Sequence, residues 1–293
     1  MGHAGSDVEI GYQKIKDIEN AEFNDPILHS SRILIENKCL SKEEVLDLYK
    51  KSRNRVSHVF DTATVRPTIK NSKEVMRSIT SNKCVSSAPK YPALKDRKVL
   101  FGKEFDRLNR SQHMAKLINY ALFDILLQYK NTVIFGEDVA EKGGVYHVTA
   151  DLHKKFGIRR VFNSPLDETS IIGFGAGFAQ NGFVPIPEIQ FLAYFHNAED
   201  QLRGEIATLP FFSEGQYVNP LVLRVPGLAY QKGFGGHFHN DNSLTIFRDI
   251  PGLILAVPSN GLDAVKMLRT SVREAYEHGR IVVFIEPIAL YML

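Results

Sequence analysis

Short apolar runs alternate with helical segments from residue 110 to the end of the chain, and this alternation constrains the fold more than any other sequence feature. Six runs have the length and continuous apolar character of buried strands: 132–135, 160–163, 184–190, 221–226, 253–257 and 281–285. Helical segments separate most of them, near 147–156, 168–181, 196–208 and 260–277. This pattern is typical of a parallel sheet with helices on its faces. We therefore predict an α/β fold, a parallel sheet flanked by helices.

A helix with one apolar face precedes the first predicted strand. Its apolar residues recur at intervals of three and four positions: Met114, Leu117, Ile118, Ala121, Leu122, Ile125, Leu126 and Tyr129. We therefore predict that the α/β domain covers residues 110–293.

The part of the chain before residue 110 has a different character. Ser41 and Glu44 have the spacing of a capping box, and the residues that follow predict an exposed amphipathic helix over 42–61. We predict that 1–61 is a helical N-terminal segment. Residues 62–109 lack periodicity and contain three prolines, which indicates a linker or an extended arm.

Composition argues against several classes of partner. A net charge of +3 in 293 residues is too small to indicate nucleic acid or a membrane surface. No apolar run reaches the roughly 18 residues of a membrane span. Cys39 and Cys84 are the only cysteines, and their spacing fits neither a disulfide framework nor a thiolate metal site. We expect no nucleic acid, no membrane and no metal bound by this chain itself.

Polar or glycine-rich segments follow four of the predicted strands. Gly136-Glu137-Asp138 follows the first and 164–168 the second. Gln190, Phe191 and Tyr194 follow the third, and the GFGGHFHND segment at 233–241 follows the fourth. Because ligands bind beyond the carboxyl ends of parallel strands, we expect a functional site where these segments meet.

Several of these segments resemble a known family. The sequences at 135–157, 160–179, 187–194 and 250–260 are similar, in order and spacing, to the beta subunit of thiamine-diphosphate-dependent 2-oxoacid dehydrogenases. The resemblance covers 110–293 and implies a transketolase-like pyrimidine-binding domain. MGHAGSDVEIGY at the N-terminus resembles the end of the alpha subunit, and 25–61 resembles its closing helices. This layout is similar to the fused, branched-chain type of the enzyme, and we expect the chain to be a piece of one.

The resemblance implies a cofactor and partners. The cofactor is thiamine diphosphate, with magnesium held by an alpha-type region through a GDG motif that this sequence lacks. The implied partners are that alpha-type region or subunit, a lipoyl-bearing dihydrolipoamide acyltransferase and further copies of the chain. The implied location is the cytoplasm of a bacterium or the mitochondrial matrix. The chain alone is then expected to be inactive.

Glu168 is the first candidate for a catalytic residue. The family's chemistry needs a carboxyl group beside the aminopyrimidine nitrogen, and a carboxyl in an apolar pocket stays protonated more readily. The neighbouring Leu166, Ile171, Ile172 and Phe174 fit such a pocket, and Leu166 is also predicted to contact the cofactor. From the sequence alone, without the resemblance, a helix cap or a surface position is the favoured interpretation of Glu168.

The resemblance assigns further residues to the site. Gln190, Phe191 and Tyr194 correspond to the segment that lines the pyrimidine pocket, although a core role for the aromatics is an alternative. His239 corresponds to a catalytic histidine facing the channel, and His3 to the alpha-type histidine at the cofactor mouth.

Three other features have simpler explanations. His237, His239 and Asp241 lack a third familiar ligand for a metal site. The glycines at 173, 175 and 177 favour close helix packing over phosphate binding. Glu137 and Asp138 are compatible with a structural role.

Three functions remain open from the sequence. The first is the oxidative decarboxylation of a 2-oxo acid, with a branched-chain substrate preferred over pyruvate, and acyl transfer to a lipoyl group. The second is a transketolase-like or deoxyxylulose-phosphate-synthase-like domain. The third is a non-catalytic module that forms a subunit interface.

Overall fold

The computed structural model describes residues 6, 8–79, 91–230 and 235–293. The chain divides into two compact units, Met1–Ile69 and Lys70–Leu293.

The first unit is helical. It contains a 3₁₀ turn at Glu9–Gly11 and the helices α1 (Ile15–Phe23), α2 (Pro26–Glu36) and α3 (Lys42–Thr64). The predicted capping box opens α3, because the Ser41 hydroxyl accepts the Glu44 amide and the Glu44 carboxylate accepts the Ser41 amide. No residue of these three helices is buried, which agrees with the exposed amphipathic helix that the sequence predicted.

Part of the predicted linker is helical in the second unit. Helices α4 (Ser72–Met76) and α5 (Leu94–Phe101) and a 3₁₀ segment at Gly102–Asn109 lie inside 62–109. Phe101 is the buried residue of α5, and its ring packs edge-on to Tyr120 with centroids 5.6 Å apart. A single buried side chain gives no periodic pattern, so the sequence did not predict this docking.

The predicted parallel sheet is confirmed. Its strands are β1 (Thr132–Gly136), β2 (Val161–Asn163), β3 (Val184–Glu188), β4 (Leu221–Gly227), β5 (Leu253–Ala256) and β6 (Ile281–Pro287). All neighbouring strands are parallel, in the order β2-β1-β3-β4-β6-β5. Each of the six predicted runs therefore forms a strand.

Helices cover both faces of the sheet. On one face, α6 (Met114–Gln128) and α11 (Gly261–His278) share a buried core with alternate residues of the strands. On the other face, α8 (Glu168–Gln180) shares a second core with the residues between them. Burial of strand residues on both faces explains why the runs are continuously apolar.

Two predicted helices differ from the structure. Within 147–156 only α7 (Leu152–Phe156) forms, because His147 and Asp151 have left-handed φ angles of 56° and 62°. The stretch 196–208 lies in a 3₁₀ segment (Leu192–Ala198) and a π-helix (Gln201–Ile206), which precede α9 (Leu209–Phe212). The backbone is not wound as an α-helix here, although the buried side chains still recur every three or four residues.

The remaining elements are short. A 3₁₀ turn (Gly236–Phe238) and α10 (Thr245–Arg248) lie between β4 and β5, and a 3₁₀ turn (Ile288–Leu290) follows β6. In the part of the chain that the structure describes, no helix has the length and apolar character to cross a membrane.

Gly136 is paired with Glu188 at the ends of β1 and β3, and we expect it to be intolerant of a side chain. A Cβ there would lie 2.6 Å from the Glu188 carbonyl oxygen, which is a backbone atom and cannot turn away. Gly136→Ala should therefore destabilise the fold by about 1–3 kcal/mol in urea unfolding. Gly177→Ala is the control, because a Cβ at that helical position meets nothing within 4 Å. It should stabilise by about 0.5–1 kcal/mol, and equal losses in both variants would contradict this account.

Candidate active site

The candidate site lies at the carboxyl edge of the sheet, where the strand order reverses. From β1 the chain passes to β2 on one side and then to β3 on the other. Such a reversal leaves a crevice beyond the carboxyl ends of the two central strands. Gly136 and Glu188 end these strands and are paired with each other, so the segments after β1 and β3 meet at this crevice.

Beneath the crevice lies a buried ionic network that the sequence analysis did not identify. The Arg224 guanidinium donates through Nη1 to Glu188 at 2.6 Å, and through Nε and Nη2 to Glu286 at 2.6 and 2.9 Å. The Tyr291 hydroxyl donates to Glu286 at 2.6 Å. All four residues are buried. With both carboxylates ionised, the network would carry one excess negative charge.

The pKa of the buried Glu188 carboxyl is raised. Burial raises its pKa to about 7, against the lowering effect of Arg224 and with a further increase from Glu286. Glu188 therefore gains or loses a proton near neutral pH inside the fold. Burial also raises the pKa of Glu137, and the charges of Glu168 and Asp138 raise it further. Two carboxyl groups with raised pKa values thus lie at this edge of the sheet.

We expect Glu188 to make the stability of the protein depend on pH. Its pKa is raised above the ordinary 4.5, so its contribution is fully present below about pH 4.5 and is lost as the pH rises through about 7. The loss should be of the order of 3 kcal/mol. Urea unfolding from pH 5 to 8 should show a fall that is smaller in Glu188→Gln, which resembles the protonated form. The exposed Glu141→Gln is the control; an unchanged slope in Glu188→Gln would refute the assignment.

Glu168 begins α8, directly after the N-cap residue Asp167. The residue is 7% exposed, and among the described residues no group donates a hydrogen bond to its carboxylate. A largely buried glutamate whose carboxylate has no hydrogen-bond partner is a candidate for a functional contact. The Thr169 hydroxyl donates to the Asn197 carbonyl at 3.0 Å, which ties this end of α8 to the segment after β3.

The apolar surroundings expected around Glu168 differ in part from the structure. Ile171 and Ile172 are fully buried, but they lie in the core between α8 and the sheet. Leu166 is 80% and Phe174 is 49% exposed. Leu166 and Phe174 therefore lie at the surface and do not enclose Glu168 in this chain.

His239 contacts the aromatic residues that follow β3. Its Nε2 lies 3.3 Å from the Tyr194 hydroxyl, and its ring meets the edge of Phe191 with centroids 4.5 Å apart. Phe191 is 3% exposed and also packs on Tyr194. The structure thus brings the three predicted residues together, with Phe191 supporting the other two from within the core.

Gln190 lines a small cavity above the ionic network. The same cavity is lined by Gly144, Tyr146, Glu188 and Tyr291. Three oxygen atoms in this region are buried without a hydrogen-bond partner, namely Glu137 Oε1, Tyr146 Oη and Thr149 Oγ1. Buried oxygens without a partner are candidates for contact with a ligand or a bound water.

The other predicted residues lie elsewhere. His3 is outside the described residues. His237 is exposed and its ring packs on Phe238 at 3.9 Å. Gly175 packs closely, since a Cβ would lie 2.7 Å from Leu221 Cδ1, whereas Gly173 and Gly177 face open space. Among the described residues, no group of three or more acidic, His or Cys side chains could hold a metal ion.

Comparisons with known proteins agree with this geometry. Residues 110–292 match the family described as transketolase, pyrimidine binding domain. The beta subunit of the pyruvate dehydrogenase E1 component from Staphylococcus epidermidis is 38% identical over 183 residues, which are 61% of this chain and 53% of that protein. The 2-oxoisovalerate dehydrogenase beta subunit of Pseudomonas aeruginosa is 36% identical over 183 residues, covering 62% and 50%. The 3-methyl-2-oxobutanoate dehydrogenase beta subunit of Mycobacterium tuberculosis is 37% identical over 166 residues, covering 56% and 47%.

The family match covers the α/β domain and not the whole chain. The matched region coincides with the α/β domain and contains the strands, α8 and the candidate site. The chain spans about half the length of the curated relatives it matches.

Proposed function

Because the chain belongs to the transketolase pyrimidine-binding-domain family, we propose that it binds the aminopyrimidine ring of thiamine diphosphate as part of a 2-oxoacid dehydrogenase. The observation that carries this proposal is Glu168, a largely buried glutamate at the start of α8 whose carboxylate makes no hydrogen bond to the described residues. The relatives named above are beta subunits of such enzymes, which supports the assignment.

The residues present fit the ring of this cofactor. Glu168 offers a carboxyl without a protein partner, and the orphaned Glu137 Oε1 lies within electrostatic reach of it. Gln190 would supply an amide, and Tyr194 and Leu166 an aromatic and an aliphatic surface. When bound, the cofactor supplies the carbon nucleophile that attacks the 2-oxo acid and accepts the electron pair released with carbon dioxide.

Each side chain has a distinct task in this proposal. Glu168 would exchange a proton with the ring nitrogen of the aminopyrimidine. His239 faces the reacting end and moves a proton to or from the substrate. Arg224 and its two carboxylates join β3, β4 and β6 to one another at the site.

An alpha-type partner completes the proposed site. The exposure of Leu166, two residues before Glu168, and of Phe174 on α8 supports this, because exposed apolar side chains favour a covering surface. In this proposal the partner holds the diphosphate and magnesium, and a lipoyl-bearing acyltransferase accepts the acyl group in the cytoplasm or the mitochondrial matrix. Further copies of the chain complete the assembly.

The proposed substrate is a branched-chain 2-oxo acid, and pyruvate is the second candidate. The similar proteins carry names of both kinds at 36–38% identity. A comparison of kcat/KM for 3-methyl-2-oxobutanoate and pyruvate in the assembled enzyme would distinguish them. A preference of tenfold or more for pyruvate would remove the branched-chain assignment.

Calorimetric titration tests the division of the site between two partners. The 293 residues alone offer ring contacts and one carboxyl hydrogen bond, so with magnesium present they should bind thiamine diphosphate no more tightly than about millimolar. An alpha-type subunit should bring the Kd to micromolar. Micromolar binding by the chain alone, or turnover of a 2-oxo acid without a partner, would contradict the proposal.

A further inference from the structure

Two side-chain contacts join the segment that carries His239 to the 3₁₀ segment Leu192–Ala198. One is the contact between the Tyr194 hydroxyl and His239 Nε2 at 3.3 Å. The other joins His196 Nε2 to Asp241 Oδ2 at 2.8 Å. The contact between His196 and Asp241 is shorter and involves an acidic group, so it is the stronger of the two.

The Asp241 carboxylate is fixed by hydrogen bonds at both of its oxygens. Its Oδ1 accepts the Ser243 amide at 2.6 Å, and its side chain is 14% exposed. Burial alone would raise its pKa, but the hydrogen bonds from Ser243 and His196 outweigh that effect and lower the pKa. An ionised carboxylate with two donors fixes both the backbone after it and the side chain it binds.

The imidazole of His239 has a defined orientation in this arrangement. Its Nδ1 lies 2.9 Å from the Gly235 carbonyl oxygen, which can only accept, so Nδ1 carries the hydrogen. In the neutral ring Nε2 is then the acceptor, and the Tyr194 hydroxyl donates to it. Gly235 itself has φ of +60°, and a Cβ there would overlap the His239 ring.

The same 3₁₀ segment is attached to the start of α8. Thr169, next to Glu168, donates its hydroxyl to the Asn197 carbonyl. Asn197 follows His196 directly, so one short segment connects the Glu168 end of α8 with the segment that carries His239.

We propose that His196 and Asp241 are positioning residues that hold the His239 imidazole in its Nδ1-protonated orientation beside Tyr194. The anchoring is a property of the fold, and its catalytic purpose rests on the proposed function. His196 is 44% exposed, so the pair adds little to global stability. Variants of the pair should therefore fold while the position of His239 changes.

Histidine-selective ¹⁵N NMR of the 293-residue chain tests the anchoring without any cofactor. The His239 signals are assigned by their loss in His239→Gln. We expect Asp241→Asn and His196→Leu to shift these signals towards a mixture of tautomers. His196→Gln should retain the wild-type signals, because its amide can still donate to Asp241. Asp249→Asn is the matched control, since this exposed aspartate pairs with Arg248 instead.

The assembled enzyme tests the catalytic purpose separately. Asp241→Asn should lower kcat about tenfold with KM for the 2-oxo acid unchanged, as expected when a reacting group is misplaced. Unchanged His239 signals in both Asp241→Asn and His196→Leu would overturn the anchoring. Shifted signals with an unchanged kcat would overturn its catalytic purpose. An assembly that decarboxylates no 2-oxo acid would overturn the proposed function, and the NMR result would still decide the anchoring.

Discussion

Arg224→Met is expected to lower the free energy of unfolding by about 3–5 kcal/mol, which is the range for removing one partner of a buried ion pair. The guanidinium is fully buried and donates three hydrogen bonds to Glu188 and Glu286. Its removal leaves two buried carboxyl groups without a cation. Each must then take a proton or remain charged in the interior. Urea unfolding at pH 7 measures the loss.

A triple variant separates charge from packing. Arg224→Met combined with Glu188→Gln and Glu286→Gln removes all three charges and keeps the side-chain volumes. Replacing a whole buried ionic network is often nearly neutral, so the triple variant should recover most of the stability that Arg224→Met loses. A triple variant as unstable as the single one would show that the shape of the guanidinium, and not its charge, is what the fold requires.

Glu168→Gln in the assembled enzyme is expected to reduce the rate of 2-oxo acid decarboxylation by at least about 100-fold, the usual contribution of a general acid–base group. The substitution keeps the shape of the side chain and removes the proton it exchanges. Among the described residues no donor binds the carboxylate, so the variant should fold as stably as the wild type.

Glu141→Gln is the matched control for this substitution. Glu141 is an exposed glutamate in the segment that follows β1, and its replacement should leave the rate unchanged. The rate is measured as carbon dioxide released from a labelled 2-oxo acid at saturating cofactor. A Glu168→Gln enzyme within a factor of about three of the wild type would contradict the assignment of Glu168.

The four central strands, β1, β3, β4 and β6, could be predicted from the sequence because they are buried on both faces. The same property concealed the ionic network. Arg224 lies in the middle of the apolar run of β4, and its partners are 36 and 62 positions away. Only the pairing of β4 with β3 and β6 brings the three side chains together. The order of the strands in the sheet cannot be read from a local sequence pattern.

The candidate site was predictable in part. Strand ends placed Glu168, Gln190 and His239 at one edge, because parallel strands share a carboxyl edge. The exposure of Leu166 and the burial of Phe191 depend on how the segments after the strands fold back, which carries no periodic signal. His196 falls in a stretch predicted to be an ordinary helix, whereas it lies in a 3₁₀ segment and contacts Asp241, which is 45 positions away.

The exchange of the thiazolium proton of bound thiamine diphosphate with deuterium tests most directly whether Glu168 acts on the aminopyrimidine ring. The rate is measured by acid quenching and proton NMR in the assembled enzyme, without substrate, for the wild type, Glu168→Gln and Glu141→Gln. We predict rapid exchange in the wild type and in Glu141→Gln, and exchange at least about 100-fold slower in Glu168→Gln. A wild-type exchange rate in Glu168→Gln, with cofactor bound to the same extent, would contradict the account.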